Sequence, residues 1–468
     1  MKKLNIYILL FVFGFFACTD SYLDVEPQTS LSTDMAIGNF ADAQVALMGV
    51  YDAFQSTASY YARDFVVTPD IASDDAFVAP QNSGRFLQQF NFTTSPTTGF
   101  SAAFWNRAYN AINRANNIIV RSDVITDAPE EELNHLLGQA YALRALAHFD
   151  LLRIYARPFS WDNGNAPGVP FMSEPKISSP SRDQVSFVYE RIIEDLILAA
   201  DLMKKTTGLA ERAYMSKYAA KALLARVYLY KQEWQLAANT AVDVILNSEY
   251  QLVPTNNYVE SWLAEFTTES IFSLAMSNLD YSATDALGYI YLRAGYGDLR
   301  PTEEIRNLLA EYGGVRQQAF INFDIIAEDY FVAKYPGRDN QAGLDNVPVL
   351  RFAELYLIAA EAFANLNEDE LAQQYLNVIV KRANPSAETI TLTGEELMER
   401  IYLEKRLEFA FEGHRMFDIS RRQQALDRGE NCFSQTCFLP ARDYRFVFPI
   451  PQREMDANPN MTQNQGYE

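Results

Sequence analysis

Three aspartates crowd the stretch "PDIASDDAF": Asp70, Asp74 and Asp75. Two carboxyl groups at the right separation are all that glycoside hydrolysis needs, one to protonate the leaving oxygen and one to act as base or nucleophile. The stretch reads as a loop, where acids also serve as caps, face water or bond the hydroxyls of a bound sugar. Other catalytic signatures are missing from the chain: there is no phosphate-binding loop, dinucleotide fingerprint, HExxH or GxSxG. His148, in "RALAHFDLL", lies on an apolar helical stretch and reads as a satisfied core residue. His135 lies on a polar helix and reads as solvated. His414, in "RLEFAFEGHRMFDISRR", is expected in a buried network where Glu412, Arg415 and Asp418 satisfy one another, because buried charges require partners. Three cysteines and three scattered histidines form no ligand cluster. Neither metal nor cofactor is expected, and the chain reads as a non-enzyme.

Aromatic side chains offer a different chemistry. Sugar rings present apolar C–H faces that stack on Trp and Tyr, while Asp, Asn and Arg bond the hydroxyls. Trp262, Tyr281, Tyr289, Tyr291 and Tyr296 fall in a segment broken by Gly, Asn and Asp. Each either packs that segment's own core or faces a ligand. Trp105 and Trp234 fall on helical stretches and read as core.

The third chemistry is lipidation. Met1-Lys2-Lys3 precedes an apolar run, residues 4–17, that is shorter than the roughly 20 residues a bilayer span needs. With Ala17 before the cut it reads as a signal peptide, residues 1–17, followed by Cys18 as an acylated N-terminus. Phe15 stands where such a site usually has Leu. Two or more acyl chains would hold a protein firmly at a membrane where one is marginal. In an oxidising envelope compartment, Cys432 and Cys437 ("NCFSQTCF") are candidates for a disulfide. A formal net charge of −21 argues against nucleic acid, whose binding rests on basic patches, and against polybasic docking to anionic lipid.

The elements that must position these residues are mostly helical. Apolar residues recur at three-and-four spacing over 40–55, 102–120, 131–155 and 185–203. Residues 216–246 form two helical stretches with a tight break near 231–233, and the build repeats without a gap 135 residues later. Ala225 matches Ala360, Leu236 matches Leu371, Ala237 matches Ala372, Val244 matches Ile379 and Ile245 matches Val380. Small residues at helix crossings and a short break are the logic of a tetratricopeptide-like hairpin of about 34 residues. Residues 131–203 read as a third hairpin, stretched by the Pro- and Gly-rich insertion 158–186. The division expected is a tether at 18–38, a helical scaffold at 39–249 and 350–422, an irregular aromatic-rich lobe at about 250–349, and a Pro- and Asn-rich tail at 423–468.

Taken together, "CTDSYLDVEPQ", "AYNAINRANNII", "QAYALRALAHFDLLRIYARPF", "AAKALLARVYLY", "VPVLRFAELYLIAAEA", "LEKRLEFAFEGHRMFDISRR" and "FPIPQREMDANPNMTQNQGY" resemble the SusD/RagB family of Bacteroidetes outer-membrane lipoproteins. The resemblance spans nearly the whole mature chain and is most specific in the last two segments. It implies one mainly α domain over 39–468, with tetratricopeptide-like hairpins behind a ligand-binding face. It also implies a non-catalytic, outward-facing lipoprotein that closes as a lid over a SusC-like TonB-dependent transporter. The ligand would be oligosaccharide, or peptide as in the RagB branch; a surface glycoside hydrolase is the remaining reading. Family sites draw on the loops after the first helices and on the middle lobe, here Asp74, Asp75, Phe77, Asn82, Arg85 and the span from Trp262 to Tyr296.

Overall fold

The computed structural model describes residues 36–468. Cys18, the leader and most of the expected tether lie outside the described residues. Helices dominate: α1 (Phe40–Phe54), α2 (Asp64–Ile71), α3 (Gly99–Val120), α4 (Glu130–Tyr155), α5 (Val185–Leu202), α6 (Lys217–Tyr230), α7 (Trp234–Asn247), α8 (Glu303–Tyr312), α9 (Phe352–Asn365), α10 (Asp369–Ala383), α11 (Gly394–Phe409) and α12 (Arg415–Arg421). Starts are set locally. Asn39 accepts from the Asp42 amide and Ser216 from the Ala219 amide, as N-caps do. Each long helix packs against the next, from α1 through α3, α4, α5, α6 and α7 to α9 and α10.

The internal repeat is visible in the backbone. Gln232 and Asn367, 135 residues apart, both take left-handed conformations (φ 64° and 61°). The amides that follow, Glu233 and Glu368, donate to the carbonyls of Tyr228 and Phe363 at 2.9 Å. This bond closes a helix end with a Schellman turn and sends the chain back on itself. Ala225, Ala360, Ala237, Ala372, Val244 and Ile379 are all fully buried.

The two hairpins touch although about a hundred residues separate them in the chain. Strands β2 (Ser270–Leu274) and β6 (Val347–Arg351) pair antiparallel, and β6 runs directly into α9. The bidentate pair Arg226–Glu354, 2.6 Å at both contacts, then clamps α6 to α9. Between β2 and β6 lie β3 (Leu299–Pro301), α8 and the hairpin of β4 (Ile321–Asp324) and β5 (Asp329–Val332). Helix α8, capped by Thr302, was not expected from the sequence, although Ile305, Leu308, Leu309 and Tyr312 recur at three-and-four spacing and Ile305 and Leu309 are fully buried. In the tail, Gln452–Ala457 is a short helix, and Asn464 donates to the carbonyls of Tyr155 and Phe448.

The network around "EGHR" is buried, but its partners differ from those expected. Glu412 pairs with Lys334 and Arg351, Arg415 with Asp74, and Asp418 with Arg421 and Lys405. Glu412, Arg415 and Asp418 do not satisfy one another: the chain turns at Gly413 (φ 75°), and each meets a different partner of opposite charge. His148 is a core residue: its Nδ1 meets the Arg144 carbonyl at 2.9 Å and its Nε2 accepts from the Met172 amide. Burial pushes it down to about 3. His135 is half-buried rather than freely solvated, and burial lowers it.

Candidate ligand-binding cleft

Strand β1 (Ala76–Val78) pairs antiparallel with β3, placing Phe77 opposite Arg300. The loop after α2 is thereby joined to the middle of the chain. Thr302 tightens the junction: its hydroxyl donates to the Asp74 carbonyl at 2.7 Å, and its amide to the Asp75 carbonyl at 3.0 Å. From the far end of the chain, the Arg428 guanidinium donates to the carbonyls of Ile71, Ser73, Phe90 and Thr436 at 2.5–3.0 Å. Its neighbours, the short strands β7 (Leu426–Asp427) and β8 (Phe438–Leu439), enclose the Cys432–Cys437 disulfide, which the structure forms.

Between these elements lies a cleft of about 970 Å³, lined among others by Asp74, Phe77, Gln81, Arg306, Asn431 and Phe433. Phe77 and Phe433 stack with ring centroids 4.7 Å apart and planes at 20°, and Phe433 is 59% exposed. Glu303, Glu304, Asn307 and Glu430 add carboxylate and amide groups around the rings. An apolar platform ringed by hydrogen-bonding groups suits a polyhydroxylated ligand with apolar ring faces.

Asp74 and Asp75 are placed here but are not free. Arg415 grips Asp74 in bidentate fashion at 2.7 and 2.8 Å, with Arg406 at 3.2 Å. Burial raises the Asp74 carboxyl, but Arg415 and Arg406 outweigh it and hold it well below the usual carboxylate range. Asp75, 1% exposed, meets Arg406 at 2.7 Å. Burial pushes its carboxyl up, Arg406 pulls it down, and the neighbouring Asp74 charge adds to the rise. Enclosure takes Asp75 out of reach of a ligand.

The other sequence candidates divide by burial. Arg85, Tyr289 and Tyr296 come together: the Arg85 guanidinium lies 4.8 Å over Tyr296, which meets Tyr289 edge-on at 5.3 Å. Asp285 holds Arg85 at 2.9 Å and Arg63 at 3.0 Å. Asn82 shapes its own loop, donating to the Ala79 carbonyl and accepting from the Gly84 amide, both at 2.7 Å. Tyr291 is fully buried with its hydroxyl on Asp70 at 2.7 Å, so it offers no surface ring. Trp262 packs edge-on against Phe320 and Tyr335, with Lys334 over its ring, and is half-buried against the core. Tyr281 is half-buried against the core. Sequence reasoning missed Phe433, Arg306 and Asn431. The signal for Phe433 was present: an apolar ring beside a half-cystine in an otherwise polar loop.

Among the described residues no helix is long and apolar enough to cross a membrane, and no group of His, Cys, Asp and Glu could hold a metal. The family model described as "SusD family" matches residues 309–467, and the model described as "Starch-binding associating with outer membrane" matches residues 21–229. The SusD-like protein P2 of Formosa agariphila is 29% identical over the full length of both chains. A SusD superfamily protein of Bacteroides vulgatus is 31% identical, with a TM-score of 0.85, over 92% of this chain and all of that one. Another, from Bacteroides thetaiotaomicron, is 29% identical with a TM-score of 0.83 over 91% and 99%. Sequence and fold thus agree over nearly the whole chain with those of a known kind of molecule: the chain belongs to the SusD family.

Proposed function

We propose that the chain is a cell-surface lipoprotein, anchored in the outer membrane through Cys18, that captures oligosaccharide and hands it to a SusC-like TonB-dependent transporter as its lid. The observation that carries this reading is the cleft: stacked phenyl rings ringed by amides and carboxylates, with Asp74 beside them already committed to two guanidiniums. The matching family descriptions, starch-binding and outer-membrane association, support the ligand class and the location. In this reading residues 1–17 are removed, 18–38 form the tether, and 39–468 act as one SusD-like domain. The hairpins face the transporter and the lobe of about 250–349 faces the ligand. In this reading capture proceeds without turnover, with Asp74 engaged by two guanidiniums and Asp75 enclosed.

Calorimetry of the mature protein against malto-, laminari-, xylo- and manno-oligosaccharides tests this. At least one series should bind saturably with no new reducing ends, and Phe77→Ala should weaken it by about tenfold, the worth of one ring contact. Silence toward every sugar alongside saturable binding of mixed oligopeptides would transfer the reading to a peptide-capturing lid. New reducing ends that disappear in Asp74→Asn would make the protein a hydrolase. Cys18→Ala should leave affinity unchanged and release the protein from membranes lacking the transporter.

A further inference from the structure

The segment joining β7 to β8 is held unevenly. Its second half is laced to the loop at residues 90–91: Ser434 Oγ donates to the Phe90 carbonyl at 2.8 Å, the Gln435 amide to Asn91 Oδ1 at 2.9 Å, and Thr436 Oγ1 to the Asn91 carbonyl at 3.0 Å. Its first half leaves β7 through Gly429 in a left-handed conformation (φ 66°) and reaches over the cleft. There the side-chain contact to the body is Asn431 Nδ2 donating to Glu303 Oε2 at 3.0 Å. The Cys432–Cys437 disulfide ties this reaching half to the laced half. Phe433, next to the tied cysteine, lands on Phe77, which covers one face of its ring and leaves the residue 59% exposed to the cleft.

A large ring kept in water by a covalent staple gains nothing for folding by its exposed face. A rigid exposed ring does lower the ordering cost of a bound partner. We propose that Phe433 is a ligand-contacting residue, stacking on the apolar face of an uncharged sugar ring, and that the Cys432–Cys437 disulfide is the brace that positions it. This rests on the oligosaccharide reading above. The ring's surroundings favour an uncharged sugar. Glu303 and Glu430 border the same cleft, Arg428 is engaged by four backbone carbonyls, and Arg306 lies over the Tyr330 ring at 4.1 Å. The carboxylates bordering the cleft would repel a uronate or sulfate.

The test is calorimetry of mature wild type, Phe433→Ala, Phe433→Trp and the double variant Cys432→Ser/Cys437→Ser. The probes are maltohexaose, laminarihexaose, xylohexaose, mannohexaose and trigalacturonate. A neutral hexasaccharide should bind wild type and weaken by about tenfold in Phe433→Ala. Phe433→Trp should keep or improve the affinity, and the double variant should fall in the same direction as Phe433→Ala. The urea midpoint of Phe433→Ala should fall only slightly, by the loss of the one face stacked on Phe77; a merely structural ring would lower it while leaving the affinity at wild type. Wild-type affinity in Phe433→Ala, or trigalacturonate binding more tightly than every neutral sugar, overturns the proposal while leaving oligosaccharide capture standing. Wild-type affinity in the double variant overturns the brace alone. Wild type that binds none of the five overturns the oligosaccharide reading and this inference together, and is seen before any variant is made.

Discussion

Asp345 should make the fold less stable as pH rises toward neutrality, and Asp345→Asn should remove that dependence. Asp345 is 7% exposed. Its Oδ1 accepts from the Gly337 amide at 2.8 Å, while its Oδ2 has no hydrogen-bond partner in the protein. It borders a small cavity of about 60 Å³ shared with Trp262, whose Nε1 is also unpartnered. Burial pushes the carboxyl up to about 7; the Gly337 amide and Arg338 pull weakly the other way. In the unfolded chain the group titrates near about 3.9. The folded pKa is the higher one, so the contribution is fully present below about pH 4, falls as pH rises to about 7, and is constant beyond. Three units at about 1.4 kcal/mol each give a loss of about 4 kcal/mol. Asparagine keeps the Oδ1 acceptor and carries no charge to bury. Urea unfolding of both proteins at intervals from pH 4 to 8 isolates the effect, because every other titrating group cancels in the difference. The variant should match wild type near pH 4 and exceed it by about 4 kcal/mol at pH 8. A difference that stays constant with pH would refute the reasoning, since Asp345 would then titrate alike folded and unfolded.

Three further outcomes follow from the buried charges and the turns. Arg351→Met should destabilise by about 3–5 kcal/mol in urea titration, because Glu269, Glu408 and Glu412 all lean on that guanidinium at 2.6–3.0 Å and would keep their buried charges; a loss under about 1 kcal/mol would mean Arg382, Lys334 and Arg316 suffice. Gly413→Ala should cost at least about 1–2 kcal/mol, since φ is +75° and a Cβ would stand 2.9 Å from the Val66 backbone; an unchanged thermal midpoint would show the turn can relax. Gln232→Gly should stabilise by about 1 kcal/mol because Gln232 holds φ 64°, whereas Asn367→Gly should gain less, asparagine being tolerated there; equal gains in thermal midpoint would contradict this.

The hairpins were legible in the sequence because their information is local. Spacing marks the buried face, and a repeat of 135 residues reproduces even the left-handed turn residue, Gln232 against Asn367. The cleft was half legible for the opposite reason. Asp74 and Phe77 could be picked from a loop, but what they do depends on contacts made hundreds of residues away. Arg415 disarms Asp74 across 341 positions, and Phe433 joins Phe77 from near the other end of the chain. The charges of "EGHR" announced a buried network, yet a carboxylate's type does not say which cation reaches it. Aromatics in the lobe were harder still: Tyr291 ends a five-residue helix and Trp262 follows a four-residue one, each too short for a helical period to separate inward from outward rings. Tyr291 therefore looked like a binding residue and proved to be core, Trp262 is half-buried against that core, and Phe433, whose ring faces the cleft, was passed over. Its only local mark was the neighbouring cysteine. That inversion has a physical basis. A ring that packs a core needs nothing but apolar neighbours, whereas a ring held out in water needs something else to fix it. In an irregular lobe, the fixing device is therefore a better guide to a binding surface than the ring itself.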